Sequence, residues 1–250
     1  MAVLDEEPEN NENYGARRVY MRLTQQEYGY TGSYSTVYRV MKENGLLKKK
    51  KRNPNSLTIE DRKAQKSENI IKQDFSAEAP NEKWLTDITE ILTADGKLYI
   101  SPVLDCFDGK IVGLAMDGNM KKELCINAFE HACKSQGAGG MILHSDRGSQ
   151  YTSNKFRETL NNFGAIQSMS GTGKCYDNAR MESFFATLKK EKLYRIKTES
   201  LRMDTVKSIV FKYIFSYYNR KRVCSFNESG YPPDIKREMY TNRQSGCVAA

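Results

Sequence analysis

The sequence predicts an α/β fold, a mixed five-stranded sheet flanked by helices and preceded by a small helical module. Three observations predict it. Two Asp-Gly pairs, Asp95-Gly96 and Asp108-Gly109, separate apolar, strand-like runs in the manner of hairpins. Beyond residue 117, short apolar runs alternate with longer segments of helical period, as parallel crossovers require. Ahead of both stand two helix-patterned segments followed by a basic run.

In chain order, residues 1–13 read as an acidic disordered lead, and Ala16 to Glu27 as a first helix. Ser33 or Ser35 is a candidate N-cap for a second helix, TVYRVMKENGLL (36–47), ending at Gly45. The pair makes a helical module over 14–47. If it is a DNA-binding helix-turn-helix, Tyr38, Arg39 and Lys42 are its candidate contacts. A plain helical hairpin fits the pattern equally. Residues 48–80 read as a linker with Pro54 and Pro80, opened by the unbroken basic run Lys48 to Arg52. The core is expected over 81–236, with strands near 83–92, 97–107, 110–117, 140–146 and 165–170. Its helices are expected near 121–135, 153–163, 178–195 and 201–219, leaving 237–250 as a tail.

At 250 residues and 39% hydrophobic content the chain can bury a sizeable core. A formal charge of +8 favours an anionic partner. Six cysteines without a CxxC pair and only two histidines indicate neither a zinc module nor a disulfide framework. No run resembles a signal peptide or a membrane span, so the expected setting is the reducing cytoplasm, with no membrane partner.

Three acids give the chain a chemistry. Asp87 lies in KWLTDITEIL (83–92), Asp146 ends MILHSD (141–146), and Glu182 rides the helix in YDNARMESFFATLKKE (176–191), with 35 residues between the last two. Two strands and a helix each supply one carboxylate. Two divalent ions about 3.5–4 Å apart can activate an attacking oxygen and stabilise a leaving one, given hard oxygen ligands and open positions. Acidic residues are common enough that the triple alone means little. The flanking residues decide.

The runs WLTDIT, LHSDRGSQYTS (143–153), SMSGTGKCYDNARMESFFATLK (168–189) and YYNRKR (217–222) resemble the integrase-core transposases of bacterial insertion sequences. The likeness is nearest to the second-reading-frame products of the insertion-sequence-three group, relatives of retroviral integrases, and covers residues 14–236. It implies a ribonuclease-H-like fold in which the first and fourth strands adjoin, bringing Asp87 beside Asp146. It implies that Asp87, Asp146 and Glu182 bind two Mg²⁺ or Mn²⁺ ions, and that Lys189 is the family's basic residue seven positions after the Glu. The implied activity is DNA strand cleavage at the element's ends and strand transfer to target DNA. Water or a DNA 3′-hydroxyl attacks phosphorus in line and a 3′-oxygen leaves. The implied partners are element ends, target DNA, further copies of the chain in a synaptic complex, and an upstream reading-frame product. Another nuclease of the same fold, or a non-catalytic DNA-binding regulator derived from a transposase, are the alternatives.

Helical spacing independently sets Asn178, Glu182 and Lys189 on one stripe. Lys189 there can meet a DNA phosphate or be one cation of a solvated face, and Asn178 can bond substrate or cap the helix. Lys174 in the loop GTGKCYDN (171–178), Gln150 and Tyr151 are further candidate DNA contacts. Strand alternation puts His144 on the side of Asp146, either as a partner to the site or as a structural residue. Asp105 reads as structural.

Overall fold

The computed structural model describes residues 2–6, 14–47, 67–137, 139–171 and 175–248. They fall into two units, residues 1–56 with 216–250, and residues 57–215. The basic run 48–52 and Lys174 lie outside the described residues.

In the first unit, α1 (Ala2–Asp5), α2 (Ala16–Leu23) and α3 (Tyr34–Glu43) are short. Their burial explains why they form. Helix α3 starts where the Ser33 hydroxyl accepts from the Thr36 N–H, buries Val37 and Met41 one turn apart, and exposes Tyr38, Arg39 and Lys42. It ends with the Leu46 N–H bonded to Met41 O and the Gly45 N–H to Lys42 O, a Schellman closure. The described part of the expected disordered lead is ordered instead: Val3 is buried and Glu6 pairs with Arg22 at 2.9 Å. The YYNRKR segment belongs to this unit. Asn219 is buried, its carbonyl accepting from the Asp234 N–H, and Arg222 lies over the Tyr218 ring. The Val223 N–H donates to Tyr14 Oη at 2.9 Å. Helix Pro233–Val248 follows, where a tail is expected.

The second unit holds the sheet. Strands β1 (Lys83–Thr86) and β2 (Thr89–Thr93) both pair antiparallel with β3 (Gly96–Asp105), whose other side takes β4 (Ile111–Asp117). Strand β1 also pairs parallel with β5 (Ile142–Ser145), which pairs parallel with β6 (Ile166–Met169). The single first strand expected over 83–92 is thus two consecutive segments on one edge of β3, interrupted at Asp87 and Ile88. That break raises the expected five strands to six. The first hairpin closes at the Thr93–Gly96 pair, so its two loop residues are Ala94 and Asp95, one position before the Asp-Gly signal. The second is a four-residue loop, closed by the Asp105 N–H on Lys110 O.

Helix α4 (Lys122–Gln136) packs on β4, and the approach is close. A Cβ at Gly113 would stand 2.3 Å from the Ala128 carbonyl oxygen and 2.7 Å from Ala132 Cβ. A one-turn helix, α5 (Ser149–Thr152), and α6 (Asn154–Asn162) lead from β5 to β6. Trp84, Phe129, Tyr151 and Phe156 form the aromatic centre of this layer, with Phe129 edge-on to Trp84, Phe156 and Phe163 at centroid distances of 6.1, 6.4 and 5.6 Å. Helix α7 (Ala179–Glu191) follows a 3₁₀ turn, Cys175–Asn178, and α8 (Met203–Lys212) runs on into a π-helical stretch, Tyr213–Tyr218.

Part of the expected linker belongs to the core. The Ile70 N–H donates to Ser168 Oγ, the Met169 N–H to Glu68 O, and Ile71 is buried. Residues 67–74 thus fasten to β6 through backbone and side-chain bonds that leave no periodic trace in the sequence.

Candidate active site

Parallel pairing of β1 with β5 puts Leu85 opposite His144. The same register carried two residues on sets Asp87 opposite Asp146, just past the C-terminal ends of adjacent strands. Such strands run about 4.8 Å apart, so the two carboxylates spring from neighbouring backbones. The break after Thr86 frees Asp87 from the ladder, and its Oδ1 accepts from the Ile88 N–H at 2.8 Å. Asp146 Oδ1 accepts from the Gly148 N–H at 2.9 Å. A Cβ at Gly148 would lie 3.0 Å from both Asp146 Oδ1 and Gln150 Oε1, so a larger residue there must push one of those side chains aside. Glu182 is exposed in the first turn of α7, and Lys189 is half-buried two turns on.

The electrostatics tie these groups together. Burial, then the negative charge of Asp146, push the Asp87 carboxyl up to about 8; the Ile88 N–H opposes this, Glu182 adds to it, and Lys189 opposes it. Burial also raises Asp146, against its bond from Gly148. Lys189 is lowered by burial, with Glu90 and Asp87 pulling the other way. Neighbouring acids that burial and mutual repulsion both oppose favour a proton, or a cation in its place. Their hard oxygen donors fit Mg²⁺ or Mn²⁺. Among the described residues, no three His, Cys, Asp or Glu side chains close around one point as a complete ligand cage would.

Two expected DNA contacts are corrected. Tyr151 is 1% exposed, packed edge-on against Phe156, with its hydroxyl 3.3 Å from Thr86 Oγ1. Asn178 is also buried. Its side chain neither caps the helix nor reaches solvent, but donates from Nδ2 to Thr86 O at 3.2 Å. Gln150 is half-buried, beside Asp146 and bonded from Nε2 to Met120 O at 3.0 Å.

His144 is buried between Ser168 Oγ at 2.8 Å and Ser170 Oγ at 3.2 Å, and burial holds its pKa down at about 4. It is a neutral clamp between β5 and the strand beside it. Asp105 accepts from the Asn81 and Phe107 N–H groups, one on each carboxylate oxygen, which explains its burial structurally. Asp177 is a site-forming residue not singled out in the sequence. Its carboxylate takes bonds from Asn69 Nδ2, Gln73 Nε2 and the Gly171 N–H, all at 2.8 Å, closing the 171–178 loop onto residues 67–74. Arg180 donates to the carbonyls of Phe75 and Cys106. The only sequence signal for either was its place beside Asn178 in the YDNAR run.

Residues 77–175 match the integrase core domain family, and residues 4–54 the HTH-like domain family. A transposase of insertion sequence element IS904 from Lactococcus lactis is 44% identical over 68% of this chain and 66% of its own length, just under two thirds. Transposase InsF of insertion sequence IS3A from Escherichia coli is 34% identical over 85% of this chain and 73% of its own. Among solved structures, the simian T-cell lymphotropic virus intasome in complex with a PP2A regulatory subunit shares the fold, at a TM-score of 0.51 and 15% identity over 83% of this chain and 69% of that one. Among the described residues no helix is long and apolar enough to cross a membrane. The chain belongs to the integrase-core transposases of bacterial insertion sequences and carries an HTH-like domain ahead of its core.

Proposed function

We propose that Asp87, Asp146 and Glu182 are the metal ligands of a site that cleaves DNA strands at the ends of an insertion sequence and joins them to target DNA. The observation that carries this reading is the register of β1 and β5, which sets two acids side by side past the strand ends, with Glu182 and Lys189 within electrostatic reach. Asp87 and Asp146 would hold one Mg²⁺ or Mn²⁺ between them, and Glu182 would complete a second position. The ions supply Lewis-acid stabilisation of the attacking and leaving oxygens.

The chain's own groups do the rest. Lys189, half-buried and within electrostatic reach of Glu90 and Asp87, would offer a point charge to a DNA phosphate. Gln150, close to Asp146 across Gly148, is a further proposed DNA contact. Exposed Tyr38, Arg39 and Lys42 of α3 are the proposed contacts of the HTH-like domain with an element end. Lys174 remains a proposed contact on sequence grounds. Several copies would hold two ends in one complex, and an upstream reading-frame product would add to it.

The test is a labelled duplex copied from DNA flanking the reading frame, incubated with Mg²⁺ or Mn²⁺. Strand-specific products are expected from the wild type and none from Asp146→Asn or Glu182→Gln at unchanged DNA binding. Wild-type cleavage by either variant refutes the assignment.

A further inference from the structure

Three hydrogen bonds converge on Thr86, the residue before Asp87. Its hydroxyl is 3.0 Å from Pro102 O and 3.3 Å from Tyr151 Oη, and its carbonyl accepts from Asn178 Nδ2 at 3.2 Å. The Thr86 hydroxyl has one proton, and the Pro102 carbonyl can only accept. That proton therefore goes to Pro102, and the Tyr151 hydroxyl donates to Thr86. Thr86, Tyr151 and Asn178 are all buried, so no water competes for these bonds.

Two of the bonds come from the segments that bear the other two acids, and the third from the strand beside β1. Tyr151 sits in α5, five residues after Asp146. Asn178 opens α7, one turn before Glu182. Pro102 belongs to β3, which holds the other side of β1. Strand pairing ends at Thr86, and beyond it the Asp87 carboxylate accepts from the neighbouring Ile88 N–H. What fixes Thr86 therefore fixes Asp87 against the other two acids.

We propose that Thr86, Tyr151 and Asn178 are positioning residues, which hold Asp87 in register with Asp146 and Glu182 through bonds that meet at Thr86. This rests on the reading of those three acids as metal ligands. All three are buried, behind the carboxylates rather than among them. They act by limiting where the Asp87 carboxylate can go.

The experiment uses the full chain and Mn²⁺ alone, with calorimetric titration of Mn²⁺ beside thermal melts and the Mn²⁺ dependence of strand cleavage. Thr86→Val keeps the shape and removes the hydroxyl, Thr86→Ser keeps the hydroxyl, and Tyr151→Phe keeps the ring. Thr86→Val and Tyr151→Phe should weaken Mn²⁺ binding by roughly ten- to a hundredfold, the range found for partners behind metal ligands. DNA affinity without metal should be unchanged, and Thr86→Ser should restore Mn²⁺ binding. Should Thr86→Val fail to fold, Tyr151→Phe carries the test, because it leaves the packed ring in place. Wild-type Mn²⁺ affinity in both hydroxyl-deletion variants overturns the proposal. So does a loss that tracks melting temperature and is not restored by Thr86→Ser. Asp146→Asn, run alongside, separates the two levels: if it binds Mn²⁺ and cleaves like the wild type, the metal-ligand reading itself has failed.

Discussion

Replacing Asp87 with Asn should stabilise the metal-free protein, because the native carboxyl is held where neighbouring acids oppose its ionisation. Its proton affinity rises from an ordinary 3.8 to about 8 in the fold. The folded value lies above the unfolded one, and the group is an acid. The unfolded chain therefore releases its proton first, and stability falls as pH rises from 3.8 until about 8, then levels off. At neutral pH the interval is about three units, and at about 1.4 kcal/mol per unit the upper bound is about 4 kcal/mol. Partial solvent access to Asp87 reduces this to about 2 kcal/mol. For a unit of this size that is a rise in melting temperature of about 4–8 °C. The assay is thermal unfolding of the core in EDTA at neutral pH and again near pH 4, where the gain should vanish. Saturating Mn²⁺ should raise the wild type far more than the variant, inverting their order. An Asp87→Asn protein that melts at or below the wild type in EDTA at neutral pH would mean that the Asp87 carboxyl does not destabilise the metal-free fold.

Gly148→Ala should keep the fold and lower metal-dependent cleavage, since the new methyl must displace the Asp146 or Gln150 side chain; equal melts with a reduced rate are the expected pair of measurements. His144 titrates the other way from Asp87. Its folded pKa is lowered from 6.5 to about 4, so stability is full above 6.5 and declines as pH falls toward 4, by at most about 3 kcal/mol. His144→Asn should flatten that decline in urea unfolding curves recorded across the window. Phe129→Ala removes the ring that meets Trp84, Phe156 and Phe163, and should cost about 3–5 kcal/mol of core stability by urea denaturation.

The sheet and its helices were legible because each carries a period. The strands at 96–105, 111–117, 142–145 and 166–169 and the helices at 122–136, 154–162 and 179–191 fall within a few residues of where alternation and helical spacing place them. The three candidate acids stand out in the sequence only through the motifs around them. What escaped was long-range and aperiodic. The interruption of the first strand at Asp87 and Ile88 has no Gly or Pro to announce it. Tyr151 and Asn178 look like surface polar residues in a loop and a helix start, yet tertiary bonds to Thr86 bury them. Asp177 and residues 67–74 bind one another across about a hundred positions, and no local pattern announces such a contact.

Crystals of the wild type soaked in Mn²⁺ and measured for anomalous scattering should show a peak between the carboxylates of Asp87 and Asp146, lost in Asp146→Asn. A peak held by other residues, with cleavage intact, would contradict the account.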